Sequence, residues 1–226
     1  MMDNTTEKTL REKICQIGEL MHRFQYVDGA AGNISARLDD QHILTTPSGI
    51  AKGFMQPDQL IVVDLDGKKV SPNNGLNPTS EILMHLEVYK KRPDVGGVVH
   101  AHPPHAVALT IAGIPLNCYT IPEAVVFLGD IPTTQYATPS SYENRDAISN
   151  LIGSHHALML AYHGSLTVGN TAWEAYLRLS SLEHTARITY LTHLLGSGKP
   201  LPPEQIQKLV EQRSSWGFVI PDTKKP

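Results

Sequence analysis

The sequence is poor in the features that would assign it to several broad classes. It has 2 cysteines in 226 residues, Cys15 and Cys118. That is too few for a disulfide framework, and both stand among apolar neighbours as reduced core thiols do. Charge of neither sign dominates: 19 basic against 22 acidic residues leave a net charge of −3. Basic residues come only in short runs such as Lys90-Lys91-Arg92 and Lys224-Lys225, and there is no electrostatic case for nucleic acid or an anionic membrane as partner. No apolar run approaches the ~20 residues that a membrane helix needs. The polar opening, MMDNTTEKTLREK, lacks the apolar stretch of a signal peptide. These absences lead us to expect a cytoplasmic protein.

What is present fits one α/β domain over residues 1–226, with 41% hydrophobic and 18% charged residues and no repeat, low-complexity tract or evident linker. Leu10, Ile14, Ile17, Met21 and Phe24 recur at helical spacing, which predicts a helix over 7–25, with Asn4 and Glu7 as a capping box. Strands are expected near 33–37 and 42–45 around Asp39-Asp40, and a second hairpin over 60–70 turning at Asp66-Gly67. A helix should open at Thr79 or Ser80 and stop before Pro93. Beyond it the pattern reads as strand 95–102, helix 104–113, strand-like 130–137, helix 141–152, strands 157–164 and 165–169, a long helix over about 171–196, and one helix in the tail. The expected architecture is a central, mainly antiparallel mixed sheet with helices on both sides, a three-layer α/β/α arrangement.

The stretch VVHAHPPH, residues 98–105, carries three histidines at the end of an apolar strand. Side chains alternate along a strand, so His100 and His102 share one side and can reach one metal ion. His105 follows Pro103 and Pro104, which suit a turn or a first helical turn, and so leaves that face. Alone, an H-x-H pair is more often surface or core than ligand, so other ligands must come from elsewhere. His163 stands just past a second apolar strand, before Gly164, and is a good third ligand. In NPTSE, hydroxyls at Thr79 and Ser80 precede Glu81 at a helix start. Free amides and hydroxyls there favour phosphate, although the pattern by itself is equally that of an ordinary N-cap. Three neutral imidazoles with one displaceable carboxylate make a Lewis-acid site for Zn²⁺ or a similar divalent ion. The glycines of GAAGNIS and TPSGI then allow close backbone approach, with Asn33, Ser48 and Gly49 as donors to phosphate oxygens.

Taken in order and at these spacings, GAAGNISAR, LTTPSGI, NPTSEILMHLEVYKKRPDVGGVVHAHPPHAVALT and AYHGSLTVG resemble the class II aldolase/adducin family, over roughly residues 7–215. Its members include L-fuculose-phosphate aldolase and L-ribulose-5-phosphate 4-epimerase. The resemblance implies metal ligation by His100, His102, His163 and Glu81, with Glu81 also the acid/base at the carbon beside the carbonyl. It implies a phosphate pocket of Asn33, Ser48, Gly49, Thr79 and Ser80, and a metal that is Zn²⁺ or another divalent cation such as Mn²⁺ or Co²⁺. Tyr119 aligns with a tyrosine that serves a neighbouring subunit's site, and Glu123 is a further acid/base candidate. It further implies a homotetramer with active sites between subunits, acting on a phosphorylated sugar.

The implied reaction is cleavage of a ketose-1-phosphate, of a deoxy type such as fuculose-1-phosphate or 5-deoxyribulose-1-phosphate, to dihydroxyacetone phosphate and an aldehyde. Sibling reactions on the same scaffold are epimerisation, dehydration and decarboxylation, and a different class is the non-catalytic adducin-type interaction module. Three departures bear on the choice. Ala30 stands where the fuculose enzyme has threonine, Val125 where the epimerase has aspartate, and Trp216 where the aldolase has a C-terminal tyrosine.

Overall fold

The computed structural model describes residues 4–70, 75–116, 118–196 and 198–217. The sheet grows from short hairpins. β1 (Asn33–Arg37) and β2 (His42–Thr45) pair antiparallel. The Asp39 carboxylate holds their turn by accepting from the backbone N–H groups of Gln41 at 2.8 Å and His42 at 2.9 Å. β3 (Ile61–Asp64) pairs with β2. The expected hairpin beyond it does turn at Asp66-Gly67, but its returning arm is reduced to a single bridge between Val63 and Lys69.

β4 (Gly97–Ala101) lies in the middle, between β1 and β6 (Gly164–Gly169), and β5 (Ala157–Leu160) forms the far edge. The order is β3-β2-β1-β4-β6-β5, and every pairing between these strands is antiparallel. Among the described residues the one parallel contact is a bridge from Thr133 to Met159. That bridge is all that remains of the strand expected over 130–137. Pro132 has no N–H to extend a ladder, and the pairing consists of Thr134 N–H to the Met159 carbonyl and Met159 N–H to the Pro132 carbonyl.

Helices cover both faces, as alternation along the strands requires. α1 (Asn4–Arg23) and α6 (Ala172–Leu194) bury Ile14, Ile17, Met21 and Leu179 against Ile34, Leu44 and Val99. α2 (Ile82–Lys91) and α5 (Tyr142–Ser149) bury Met84, Val88 and Ile148 against Ile43, Val98, Leu158 and Leu166 on the opposite face. α3 (Pro104–Ile111) and α4 (Pro122–Phe127) close a third cluster with α6. α7 (Pro203–Gln212) packs on α4 at the end of the described chain. This is the three-layer arrangement expected, with α1 starting at Asn4, earlier than the apolar periodicity alone indicated. The side chains of Asn4 and Cys118, and the Lys224-Lys225 pair, fall outside the described residues. Among those described, no helix is long and apolar enough to cross a membrane.

The strand β4 is held unusually close to the start of α6. A Cβ on Gly97 would lie 2.1 Å from the Ala172 backbone nitrogen, so only hydrogen fits there. We expect Gly97→Ala to cost roughly 1–3 kcal/mol or more, as overpacking against unyielding backbone does. A urea midpoint equal to that of the parent protein would contradict this account of the packing.

Candidate metal centre and active site

Each of the four candidate ligands arrives from a separate structural decision. His100 is fully buried on β4, on the α2 side of the sheet, and its Nδ1 donates to the Ser165 carbonyl of β6 at 2.9 Å. That bond fixes the tautomer and leaves Nε2 facing the site. His102 has left the strand and is anchored by its own N–H to the Tyr26 carbonyl at 2.9 Å. His163 lies in the β5–β6 turn, where Tyr162 takes a left-handed φ of 59°. Gly164 follows because a Cβ there would sit 2.3 Å from the Ala101 carbonyl oxygen and 2.9 Å from the His102 ring. The glycine of AYHG thus lets the turn close on the end of β4.

Glu81 caps the start of α2, with its N–H to the Thr79 hydroxyl at 3.3 Å. Its two oxygens are held from opposite sides. Oε2 accepts from Asn33 Nδ2 at 2.9 Å and lies 3.0 Å from His100 Nε2. Oε1 accepts from Asn144 Nδ2 at 3.3 Å and lies 3.6 Å from His163 Nε2. His102 Nε2 is 3.0 Å from His100 Nε2. The four ligand atoms all lie within 4.8 Å of one another.

This donor set fits a divalent cation. The two imidazole nitrogens 3.0 Å apart need a proton or a cation between them, and four ligands around zinc at bond lengths of about 2.0–2.2 Å occupy a space of this size. Burial, followed by the charge of His100, lowers His102 to about 3 and His163 to about 4, so both are neutral donors near pH 7. His100 is also opposed by burial, but the Glu81 carboxylate and its hydrogen bond raise its pKa above the ordinary imidazole value. Burial likewise disfavours ionised Glu81, and His100, His163 and Asn33 outweigh it, holding the carboxyl well below the usual range. The Glu81 carboxylate therefore favours the protonated form of His100 at the place a cation would take.

The expected phosphate residues are spread over three backbone segments that the fold brings together. Segments 46–48 and 77–79 run side by side through Ser48 N–H to Asn77 O at 2.9 Å, Thr79 N–H to Thr46 O at 3.0 Å, and a Pro47–Pro78 bridge. Ser48, Gly49 and Ser80 are exposed on this lip, whereas Thr79 and Asn33 are buried beside Glu81. A cavity of about 830 Å³ opens against His102 and His163, lined also by His22, Arg23, Asp28, Val107 and Ile111.

Tyr119 and Glu123 are not brought to the cluster within one chain. Tyr119 lies in a 3₁₀ turn over Cys118–Thr120 and lines a separate cavity of about 500 Å³; Glu123 is exposed in the first turn of α4. His105 is turned away, its Nδ1 2.7 Å from Glu183. Asn144, His85 and Lys52 escaped the sequence reading. Asn144 showed only as a helix residue, positioned by the Ser141 cap that opens α5.

Metal content is the direct test of the cluster. We expect about one divalent ion per chain, lost in His100→Ala and in His163→Ala, with binding weakening as pH falls because the cation must displace the proton on His100. Full metal content in both variants by elemental analysis would remove the assignment.

Comparison with known proteins identifies the family. Residues 12–190 match the family model described as the class II aldolase and adducin N-terminal domain. The L-fuculose phosphate aldolase of Methanococcus vannielii is 35% identical over 179 residues, covering 79% of this chain and 93% of the relative. The 3-oxo-tetronate 4-phosphate decarboxylase of Escherichia coli K12 is 31% identical over 190 residues, 82% of this chain and 88% of the relative. Among solved structures, YgbL of Klebsiella pneumoniae, whose activity is left open among aldolase, epimerase and decarboxylase, is 32% identical. Its TM-score is 0.82, with 90% of this chain and 98% of that one covered. The chain is an enzyme of the class II aldolase/adducin family.

Proposed function

We propose that this enzyme is a divalent-metal lyase that cleaves a ketose-1-phosphate reversibly to dihydroxyacetone phosphate and an aldehyde. Deoxy-sugar types such as fuculose-1-phosphate or 5-deoxyribulose-1-phosphate are the expected substrates. The position of Glu81 carries the reading. One carboxylate touches two of the three imidazoles and also heads a helix beside Thr79 and Ser80, so metal ligand, proton carrier and anion cradle meet at one residue. The ion held by His100, His102, His163 and Glu81 supplies Lewis acidity to the substrate carbonyl when bound. Zinc suits the nitrogen-rich set best, with Mn²⁺ or Co²⁺ as alternatives.

The protein's own groups do the rest. Cleavage of C3–C4 leaves an electron pair on C3, and Glu81 delivers a proton to that carbon, or removes it in the reverse direction. Ser48, Gly49, Thr79, Ser80 and the second N–H of Asn33 orient the phosphate. Lys52 supports this placement. It is 2% exposed, and its Nζ donates to the Ala30 carbonyl at 2.9 Å and the Ile50 carbonyl at 2.6 Å, tying the two glycine-bearing loops together. Burial lowers its pKa to about 8, which leaves it largely charged at neutral pH. A buried cation with carbonyl partners favours an anion nearby.

Departure of an aldehyde also requires proton exchange at its oxygen. We assign that to Tyr119, with Glu123 as the alternative, reaching the site of a neighbouring subunit in a homotetramer of fourfold symmetry. Such a ring closes through heterologous interfaces. Light scattering at micromolar concentration should give about four times the chain mass, and a monomer would contradict the shared site.

Decarboxylation of a phosphorylated keto acid is the second reading, favoured by the 31% identity to the E. coli decarboxylase. Carbon dioxide leaves without a hydroxyl proton to remove, so that reaction needs Glu81 but not Tyr119. Metal-replete protein should therefore be offered a panel of ketose-1-phosphates, with dihydroxyacetone phosphate read by a coupled dehydrogenase, beside a phosphorylated keto acid with carbon dioxide as the readout. We expect dihydroxyacetone phosphate from a ketose-1-phosphate and no carbon dioxide from the keto acid. In Glu81→Gln turnover should fall by ~10²–10⁴-fold, and exchange of the C3 proton of dihydroxyacetone phosphate with solvent should stop. Exchange at the parent rate in the metal-loaded variant would refute the role of Glu81.

A further inference from the structure

The polar contacts behind Glu81 do not stop at Asn33. Glu81, His85 and Tyr89 recur every four residues along one side of α2 and its cap, while Asn33, Ser35 and Arg37 alternate on the facing side of β1. The two stripes interlock. Asn33 Nδ2 reaches Glu81 at 2.9 Å, Asn33 Oδ1 and His85 Nε2 are 2.5 Å apart, and Ser35 Oγ lies 2.6 Å from His85 Nδ1 and 2.9 Å from the Tyr89 hydroxyl. Arg37 closes the far end, its guanidinium 4.9 Å from the centre of the Tyr89 ring. His85 and Ser35 are fully buried, and Asn33 and Tyr89 nearly so.

The direction of every bond follows from the carboxylate. An ionised carboxylate only accepts, so the amide N–H of Asn33 faces Glu81 and its carbonyl faces His85. That carbonyl requires His85 to donate from Nε2, which leaves Nδ1 to accept from the Ser35 hydroxyl. Ser35, its one proton spent, accepts from Tyr89. Four donors therefore point one way, toward the residue that binds metal and carries the proton. Were His85 absent, the Asn33 carbonyl would lose its donor and the amide would be held only through its N–H to the carboxylate.

We propose that His85 is a positioning residue for Glu81: its Nε2–H locks the Asn33 amide, and through it the carboxylate, in the orientation that both metal binding and proton transfer need. The proposal rests on the roles assigned to Glu81 above.

Three measurements test it on the full-length protein. In the ring-nitrogen NMR spectrum, His85, identified by the signal lost in His85→Gln, should be the neutral tautomer protonated at Nε2. In His85→Leu, zinc affinity of the metal-free protein, read by competition with a chromophoric chelator, should fall by about 10–100-fold, the range for an outer partner of a metal ligand. Turnover should fall by a similar factor with KM little changed. His85→Gln, which keeps an amide N–H near the place of Nε2, should recover most of both losses. Ser35→Ala should give a smaller loss in the same direction and serves if the leucine variant does not fold. An Nδ1–H tautomer would overturn the proposal, as would folded His85→Leu with parent zinc affinity, or a glutamine variant as impaired as the leucine one. The NMR and zinc readouts need no sugar-phosphate turnover, so failure of the aldolase reading alone would leave them as expected.

Discussion

The contact on which the site depends is the 3.0 Å approach of the Glu81 carboxylate to His100 Nε2, made with the histidine fully buried. Taking a carboxylate and an imidazole out of water is costly, and neither would stay there without compensation. The compensation comes from four directions: β6 through the Ser165 carbonyl, β1 through Asn33, α5 through Asn144, and the β5–β6 turn through His163. Remove any one and a buried polar atom is left unsatisfied. The site is thus a consequence of how four elements are docked, and their docking is in turn restrained by the site.

That docking needs backbone to come closer than side chains permit. Gly164 lets the β5–β6 turn press on the end of β4, and Gly97 lets β4 cross the start of α6. Antiparallel pairing of β4 with both β1 and β6 then sets the register, placing Asn33 opposite His100 and Leu166 beyond it. With those partners fixed, the side chain of Asn33 falls on the same face as His100, toward α2. A slip of one residue between the two strands would put Asn33 and His100 on opposite faces, one of them in the apolar layer beneath α1.

Much of this was legible in the residues themselves, because the relevant patterns are local. Period-two alternation put His100 on one face of a strand, although His102, expected beside it on that strand, lies just past its end. The break at Pro103-Pro104 turned His105 away, and the hydroxyls of Thr79 and Ser80 marked a helix start beside Glu81, although the helix opens slightly later, with Glu81 as its N-cap. Other features depended on which segments become neighbours, and no local pattern encodes that. The strand expected over 130–137 shrank to one bridge because Pro132 could not donate and only Met159 was in reach. His85 and Tyr89 look in sequence like ordinary positions of a helix. They become a polar chain only because β1 presents Asn33 and Ser35 opposite them. Lys52 gave no sign of burial, and Asn144 none of reaching Glu81. The sequence by itself determined the ligand types, their spacing and the class of metal they suit, since those follow from side-chain chemistry and strand geometry. Only the tertiary structure decided which amides, carbonyls and hydroxyls hold those ligands in place, because hydrogen bonds between residues fifty positions apart exist only once the sheet and helices have packed.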